Sequence, residues 1–221
     1  TVALAGNPNV GKSTLFNALT GLRQHTGNWP GKTVGAAQGY LRKGDVEYTF
    51  VDLPGTYTLS GASEDEKLAG EYILSGNADC TVVVCDGSSL ERSLILALQI
   101  LNSTEPVVIC VNLMDEAEKN GIFIDAQALS ESLNAPVVLT AAGRKQGIGA
   151  LLEQIRMASG THGVALKRFE DPIAEAERIA GRCVASRTVK AQRLQERLDK
   201  LLTSRSFGIP VQQHGGYVPF C

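Results

Sequence analysis

No C-x-x-C pair, no run of about twenty apolar residues and little net charge occur in this 221-residue chain. Each absence excludes something. The cysteines, Cys80, Cys85, Cys110, Cys183 and Cys221, are odd in number and lack metal or redox spacing, so a disulfide framework or thiolate metal centre is not expected. Cys85 and Cys110 fall in TVVVC and VVICV, where a thiol packs as a small hydrophobe. We read the thiols as reduced and structural, in a cytosolic setting, with Cys221 the least constrained. No segment has the length needed to span a bilayer, and the opening TVALAG carries no signal-peptide pattern, so a soluble piece is expected. A formal net charge of −2 does not suggest nucleic acid as the main partner. Internal repeats are also absent.

What is present is alternation. Short apolar runs at 1–5, 46–51, 81–85, 107–111 and 136–139 read as strands, with a weaker candidate near 36–42. Most are apolar throughout, as strands buried on both faces of a parallel sheet are. Helical periodicity occupies 12–20, 64–75, 90–101, 125–133 and 147–157; in LERSLILALQIL, Leu90, Leu94, Leu98 and Leu101 form one face. The expected fold is α/β, a doubly wound and mostly parallel sheet, whose ligands gather at the carboxyl ends of its strands. This domain should span 1–158, followed by a linker at 159–170, a short helical domain at 171–207 and a tail at 208–221. Ile173, Ala176, Ile179 or Ala180, and Cys183 mark one helical face there, and Leu194, Leu198, Leu201 and Leu202 another. About 40 residues bury little core alone, so these helices should pack on the first domain or a neighbour.

The loops after the strands carry the chemistry. Residues 6–13, GNPNVGKS, match G-x-x-x-x-G-K-S between a strand and a helix. Gly6 and Gly11 let the backbone curl so that its N–H groups converge on phosphates, in a cradle of Asn7, Asn9, Val10, Gly11, Lys12, Ser13 and Thr14. Lys12 should reach the β- and γ-phosphates and Ser13 should ligate Mg²⁺. Asp52 ends a strand, where it can support the Mg²⁺ shell, and Gly55 lets its N–H approach a γ-phosphate. Thr33, in the long glycine-containing loop 24–36, falls where a switch threonine would close on Mg²⁺ and γ-phosphate. After VVICV comes NLMD: Asp115 can accept the N1–H and N2–H₂ edge of guanine, which adenine does not offer. Asn112 would tie this loop to the phosphate loop, and Leu113, where lysine is usual, would still cover the base. In TAAGRKQG, Thr140 and the backbone N–H of Ala141 or Ala142 would meet the base, the latter at O6.

Together these loops resemble the cytosolic G-protein domain of FeoB, the bacterial ferrous-iron transporter. The resemblance rests on GNPNVGKSTLFNALTG, GNWPGKTV, DLPGTYTLS, YILSGNADCTVVVCDGSSLERSLILALQIL and NLMD, within residues 1–157, and on LTSRSFGIP near the C-terminus. It implies a Ras-like P-loop GTPase domain with a helical domain linking it to a membrane permease, on the cytoplasmic face of the inner membrane, controlling Fe²⁺ uptake. It also implies GTP/GDP, Mg²⁺ and K⁺ as cofactors. Asn9 would hold K⁺ with backbone carbonyls around Gly27 to Trp29, leaving Lys12, Asn9, Thr33 and Gly55 as the catalytic set. A homo-oligomer is compatible with all of this. The helical part is shorter than in many members, and VQQHGGYVPFC stands where membrane helices would continue.

One further absence matters. After Gly55 comes Thr56, where many GTPases keep a glutamine that orients water. Phosphoryl transfer depends mostly on positioning and on neutralising developing charge, so K⁺ and switch backbone can stand in, with Thr56 orienting water at most. Glu64, Asp65 and Glu66 read as the acidic first turn of a helix. The expectation is a slow, K⁺-stimulated GTPase. The alternatives are a nucleotide-gated interaction module with negligible hydrolysis, or a ribosome- or tRNA-associated GTPase, though no basic stretch supports the latter.

Overall fold

Strand Val2–Gly6 (β1) leads straight into the first loop and helix Lys12–Thr20 (α1). The computed structural model describes residues 1–21, 24–28, 35–61, 63–159 and 168–186, with backbone alone at 24–28 and 35–36. Strands Gln24–Asn28 (β2), Gly35–Lys43 (β3) and Val46–Asp52 (β4) follow, then helix Glu64–Leu74 (α2) and strand Cys80–Asp86 (β5). A 3₁₀ turn at Gly87–Ser89 opens helix Leu90–Leu101 (α3). Next come Val107–Asn112 (β6), Met114–Lys119 (α4), Ile122–Ile124 (β7), Ala126–Leu133 (α5) and Val137–Leu139 (β8). Helices Ile148–Ala158 (α6) and Pro172–Cys183 (α7) and strand Val184–Ser186 (β9) complete the described elements.

Seven strands form one sheet in the order β2-β3-β4-β1-β5-β6-β8. From β4 to β8 neighbours run parallel; β2–β3 and β3–β4 run antiparallel. Side chains alternate between faces, which is why continuously apolar strands are needed. Val2, Leu4, Val82, Val84, Val108 and Cys110 pack with α1 and α6 on one side. Ala3, Ala5, Val83, Cys85, Ile109 and Val111 pack with α2, α3, α5 and α7 on the other. The mostly parallel, doubly wound sheet expected from the alternation is present.

Three differences from the sequence-based expectation have physical reasons. The segment 24–36 is not loop throughout: Gln24–Asn28 pairs with Gly35–Gly39 as an edge strand held by backbone bonds, which side-chain patterning does not encode. Gly39 is required in that hairpin, because a Cβ there would overlap Thr20 Cγ2 and lie 2.9 Å from the Phe16 ring. The elements α4, β7 and β9 span only three to six residues, too short for periodicity to register.

The third concerns α7. Asp171 caps it, accepting from Ile173 N at 3.0 Å and Ala174 N at 3.1 Å, with Pro172 at the first position. Ala176, Ile179, Ala180 and Cys183 are buried in the same core as α3, whereas Ile173, expected on that face, is 67% exposed. Asn102 fixes the approach, donating to Phe169 O at 2.9 Å and accepting from Phe169 N at 2.8 Å. Residues Thr1–Ala185 form one compact unit, so α7 belongs with the sheet and the unit ends at Ala185. The remaining helical face, Leu194, Leu198, Leu201 and Leu202, lies outside the described residues.

Candidate nucleotide site

The carboxyl ends of the parallel strands, Gly6, Asp52, Asp86, Asn112 and Leu139, lie along one edge of the sheet. The loop after β1 turns back at two left-handed residues, Asn9 (φ 67°) and Gly11 (φ 77°), and releases the chain into α1. Gly11 is doubly constrained, since a Cβ would also lie 2.5 Å from Asn112 Nδ2. At Gly6 a Cβ would meet Val84 O at 2.6 Å. The result is an open cleft of about 480 Å³ lined by Asn7, Pro8, Asn9, Gly11, Lys12, Ser13, Thr14 and Gly55. Val10 points away into the core and holds the loop down.

Lys12 and Asp52 form a hydrogen-bonded ion pair, and Lys12 Nζ also donates to Leu53 O at 2.5 Å. Ser13 Oγ donates to Asp52 Oδ2 at 3.3 Å. The hydroxyl and carboxylate expected to serve Mg²⁺ are thus adjacent, and their hard oxygens suit that ion. Asn7 Oδ1 is buried without a hydrogen-bond partner among the described residues. Asn9 lines the cleft, and Gly27 lies in β2 opposite Ala36. Trp29 and Thr33 lie outside the described residues.

The DLPGT segment is stitched to β1: Leu53 N donates to Leu4 O and Thr56 N to Gly6 O, each at 3.1 Å. Gly55 packs on Pro8, where a Cβ would lie 3.2 Å from Pro8 Cα. Thr56 is fully buried; its Oγ1 donates to Thr58 O at 2.6 Å and accepts from Thr58 N at 3.2 Å. Its hydroxyl closes a local turn rather than facing the cleft. Glu64, Asp65 and Glu66 form the first turn of α2 behind the Ser63 cap, and Glu66 accepts from Tyr57 N at 3.3 Å.

Asn112, wholly buried, joins three loops. Its Nδ2 donates to Val10 O at 3.1 Å and Gly11 O at 3.4 Å; its Oδ1 accepts from Thr140 Oγ1 and Ala142 N, both at 3.0 Å. Leu113 takes a left-handed turn (φ 60°) beside Gly11, placing Asp115 in the first turn of α4. The Asp115 carboxylate is paired with Arg144, Oδ2 to Nε 3.1 Å. Ala141 N donates to Gln146 O at 3.2 Å, so both candidate base-facing N–H groups, Ala141 and Ala142, have internal partners here. Arg144 is not among the residues the sequence singles out; its signal is a lone guanidinium two residues beyond Ala142, in the loop facing NLMD.

Burial pushes the Cys80 and Cys110 thiols up to about 12, and Cys85 higher still. These thiols are buried in the core as small hydrophobes, and no cluster of three or more His, Cys, Asp or Glu capable of holding a metal occurs among the described residues. Nor is any helix among them long and apolar enough to cross a membrane.

The family model for ferrous iron transport protein B matches residues 1–155. The chain belongs to this family. It is 46% identical over 177 residues to the Fe(2+) transporter FeoB of Salmonella typhimurium (strain LT2), a match covering 78% of this chain and 23% of that protein. The chain therefore spans less than a quarter of that relative's length. Among solved structures, the cytosolic domain of T. maritima FeoB in its GMPPNP form superposes with a TM-score of 0.77 at 29% identity, covering 84% of this chain and 99% of that one. A GDP form of the same domain gives 0.71 at 42% identity, covering 76% and 66%. The fold is that of FeoB G domains, and guanine nucleotides occupy those relatives.

Proposed function

We propose that this chain binds GTP and GDP and hydrolyses GTP slowly, as the regulatory G domain of a bacterial ferrous-iron uptake protein. The observation that carries the reading is Asn112, which ties the phosphate loop to the TAAGRKQG loop and sets Asp115 beside it. Lys12 would hold the β- and γ-phosphates, while Gly11, Ser13, Thr14 and the N-terminus of α1 bind the α- and β-phosphates. Asp115 would accept the guanine edge, with Thr140 and the Ala141–Ala142 backbone beneath the base. Gly55 would present its N–H to the γ-phosphate. Ser13, Asp52 and Thr33 would hold Mg²⁺, and Asn9 with carbonyls of Gly27 and Trp29 would hold K⁺; the cations would supply positive charge to the transferring phosphoryl group.

The region 171–207 is proposed as the link to a membrane permease part at the cytoplasmic face of the inner membrane, with its first helix fixed against α3. Thr56 favours a second reading. With its hydroxyl consumed by Thr58, no side chain at that position can orient water, which suits a module that binds GTP but scarcely hydrolyses it.

GTP turnover in K⁺ against Na⁺, with Asn9→Ala and an ATP control, tests the proposal. We expect K⁺ to accelerate GTP hydrolysis and Asn9→Ala to remove the gain. GTP binding with negligible turnover in both salts selects the second reading, and equal use of ATP overturns guanine specificity.

A further inference from the structure

The base-facing groups of this site have partners within the chain. Ala142 N donates to Asn112 Oδ1, Ala141 N to Gln146 O, and Asp115 is paired with Arg144. The loop holding Arg144 is a closed unit. Gln146 N returns a 3.2 Å bond to Ala141 O, Arg144 N donates to Ala141 O at 2.9 Å, and Lys145 N donates to Ala142 O at 3.0 Å. Two left-handed residues, Lys145 (φ 56°) and Gly147 (φ 78°), complete the turn. Gly147 has no alternative there, since a Cβ would collide with Leu139 O. The loop that faces the base therefore also presents the arginine that engages Asp115.

The chemistry of that pairing is specific. The edge of guanine that a carboxylate reads, N1–H and N2–H₂ about C2, is a guanidine fragment. The arginine head carries the same N–C–N arrangement with a full positive charge, and it meets Asp115 through a single ion-pair contact, Nε to Oδ2 at 3.1 Å. We propose that Arg144 is an internal competitor for the guanine base: its guanidinium occupies Asp115, and a bound guanine must displace it. This rests on the reading of Asp115 as the guanine acceptor. The consequence is an affinity for guanine nucleotides held below what Asp115 would otherwise give, and a faster release, because Arg144 reclaims the carboxylate as the base departs.

The size of the effect follows from exposure. The Asp115 side chain is 22% exposed and that of Arg144 52%, so the pair is solvent-screened and shifts affinity by a small factor. A partly exposed pair weakens as salt rises. Adenine presents no donor pair to Asp115 and gains nothing from its release.

The test is equilibrium binding and stopped-flow release of a ribose-labelled fluorescent GDP on the full chain, with the matching ADP analogue as control. Arg144→Ala should tighten GDP binding about two- to fivefold and slow its release, the gain fading toward 1 M salt. Arg144→Lys, keeping charge without the planar fork, should fall between. In an Asp115→Ala background, Arg144→Ala should have no effect. Unchanged or weaker GDP binding by Arg144→Ala with an unaltered melting temperature, while Asp115→Ala still loses GDP, overturns the competitor role alone. If Asp115→Ala binds GDP as well as the parent chain, the guanine reading falls with it.

Discussion

Asn112 and Val10 lie 102 positions apart and are joined by a single hydrogen bond, Nδ2 to the Val10 carbonyl at 3.1 Å. The other end of the same amide takes up Thr140 and Ala142. Replacing it with alanine leaves the Val10 carbonyl and the Ala142 N–H without their partner in a buried setting. Asn112→Ala should therefore cost about 2–4 kcal/mol of stability and at least tenfold in guanine nucleotide affinity. Denaturant unfolding and fluorescent GDP titration measure the two; retention of both refutes the tie.

Thr56→Val keeps the shape of a wholly buried side chain and removes only its hydroxyl. Loss of the bonds to Thr58 should lower stability by about 1–3 kcal/mol. GTP turnover per folded molecule should stay within about threefold, a difference of less than 1 kcal/mol in barrier. A tenfold fall in turnover at saturating GTP would mean that the hydroxyl reaches the reaction.

Ile179→Ala deletes a fully buried side chain where α7 meets α3, and should cost about 2–4 kcal/mol. Ile173→Ala, on the same helix but two-thirds exposed, should change stability by less than about 0.5 kcal/mol. Equal effects, read from the urea midpoint, would refute the packing described for α7.

The raised thiols set an alkaline limit. Cys80, Cys85 and Cys110 stay protonated in the folded chain well above the ordinary cysteine range, because burial penalises the thiolate. Unfolded, each ionises near pH 8.5. The unfolded state then binds fewer protons than the folded one, so stability is intact below about pH 8.5 and falls as pH rises toward 12. Each thiol contributes a slope of at most about 1.4 kcal/mol per pH unit. Cys110→Ala should flatten the decline between pH 9 and 11; an unchanged slope would show that the thiol does not cause it.

The sheet was legible because burial on both faces demands apolar strands, and VVIC and TVVVC can hardly be anything else. The phosphate loop was legible because its backbone needs glycine at fixed places. Asn112 was legible as a tie because an amide between two loops has donors at one end and an acceptor at the other. The edge strand 24–28 was not, since backbone bonds to β3 hold it whatever its side chains. Nor was the burial of Thr56, which depends on a turn closing over its hydroxyl rather than on residue type. Arg144 escaped for another reason: a surface arginine has no pattern, and only the fold puts it across from Asp115.

The segment after Asp52 is anchored at two ends. Thr56 N holds it to Gly6, and Leu59 N donates to Gln99 Oε1 of α3 at 3.1 Å. Between these abutments lie only Tyr57 and Thr58, with the Tyr57 ring under Arg92 of α3, 4.8 Å from its guanidinium carbon. A span so short, clamped to the cradle on one side and to a helix on the other, has little slack. Displacement of its cradle end would be passed to α3, against which α7 is packed.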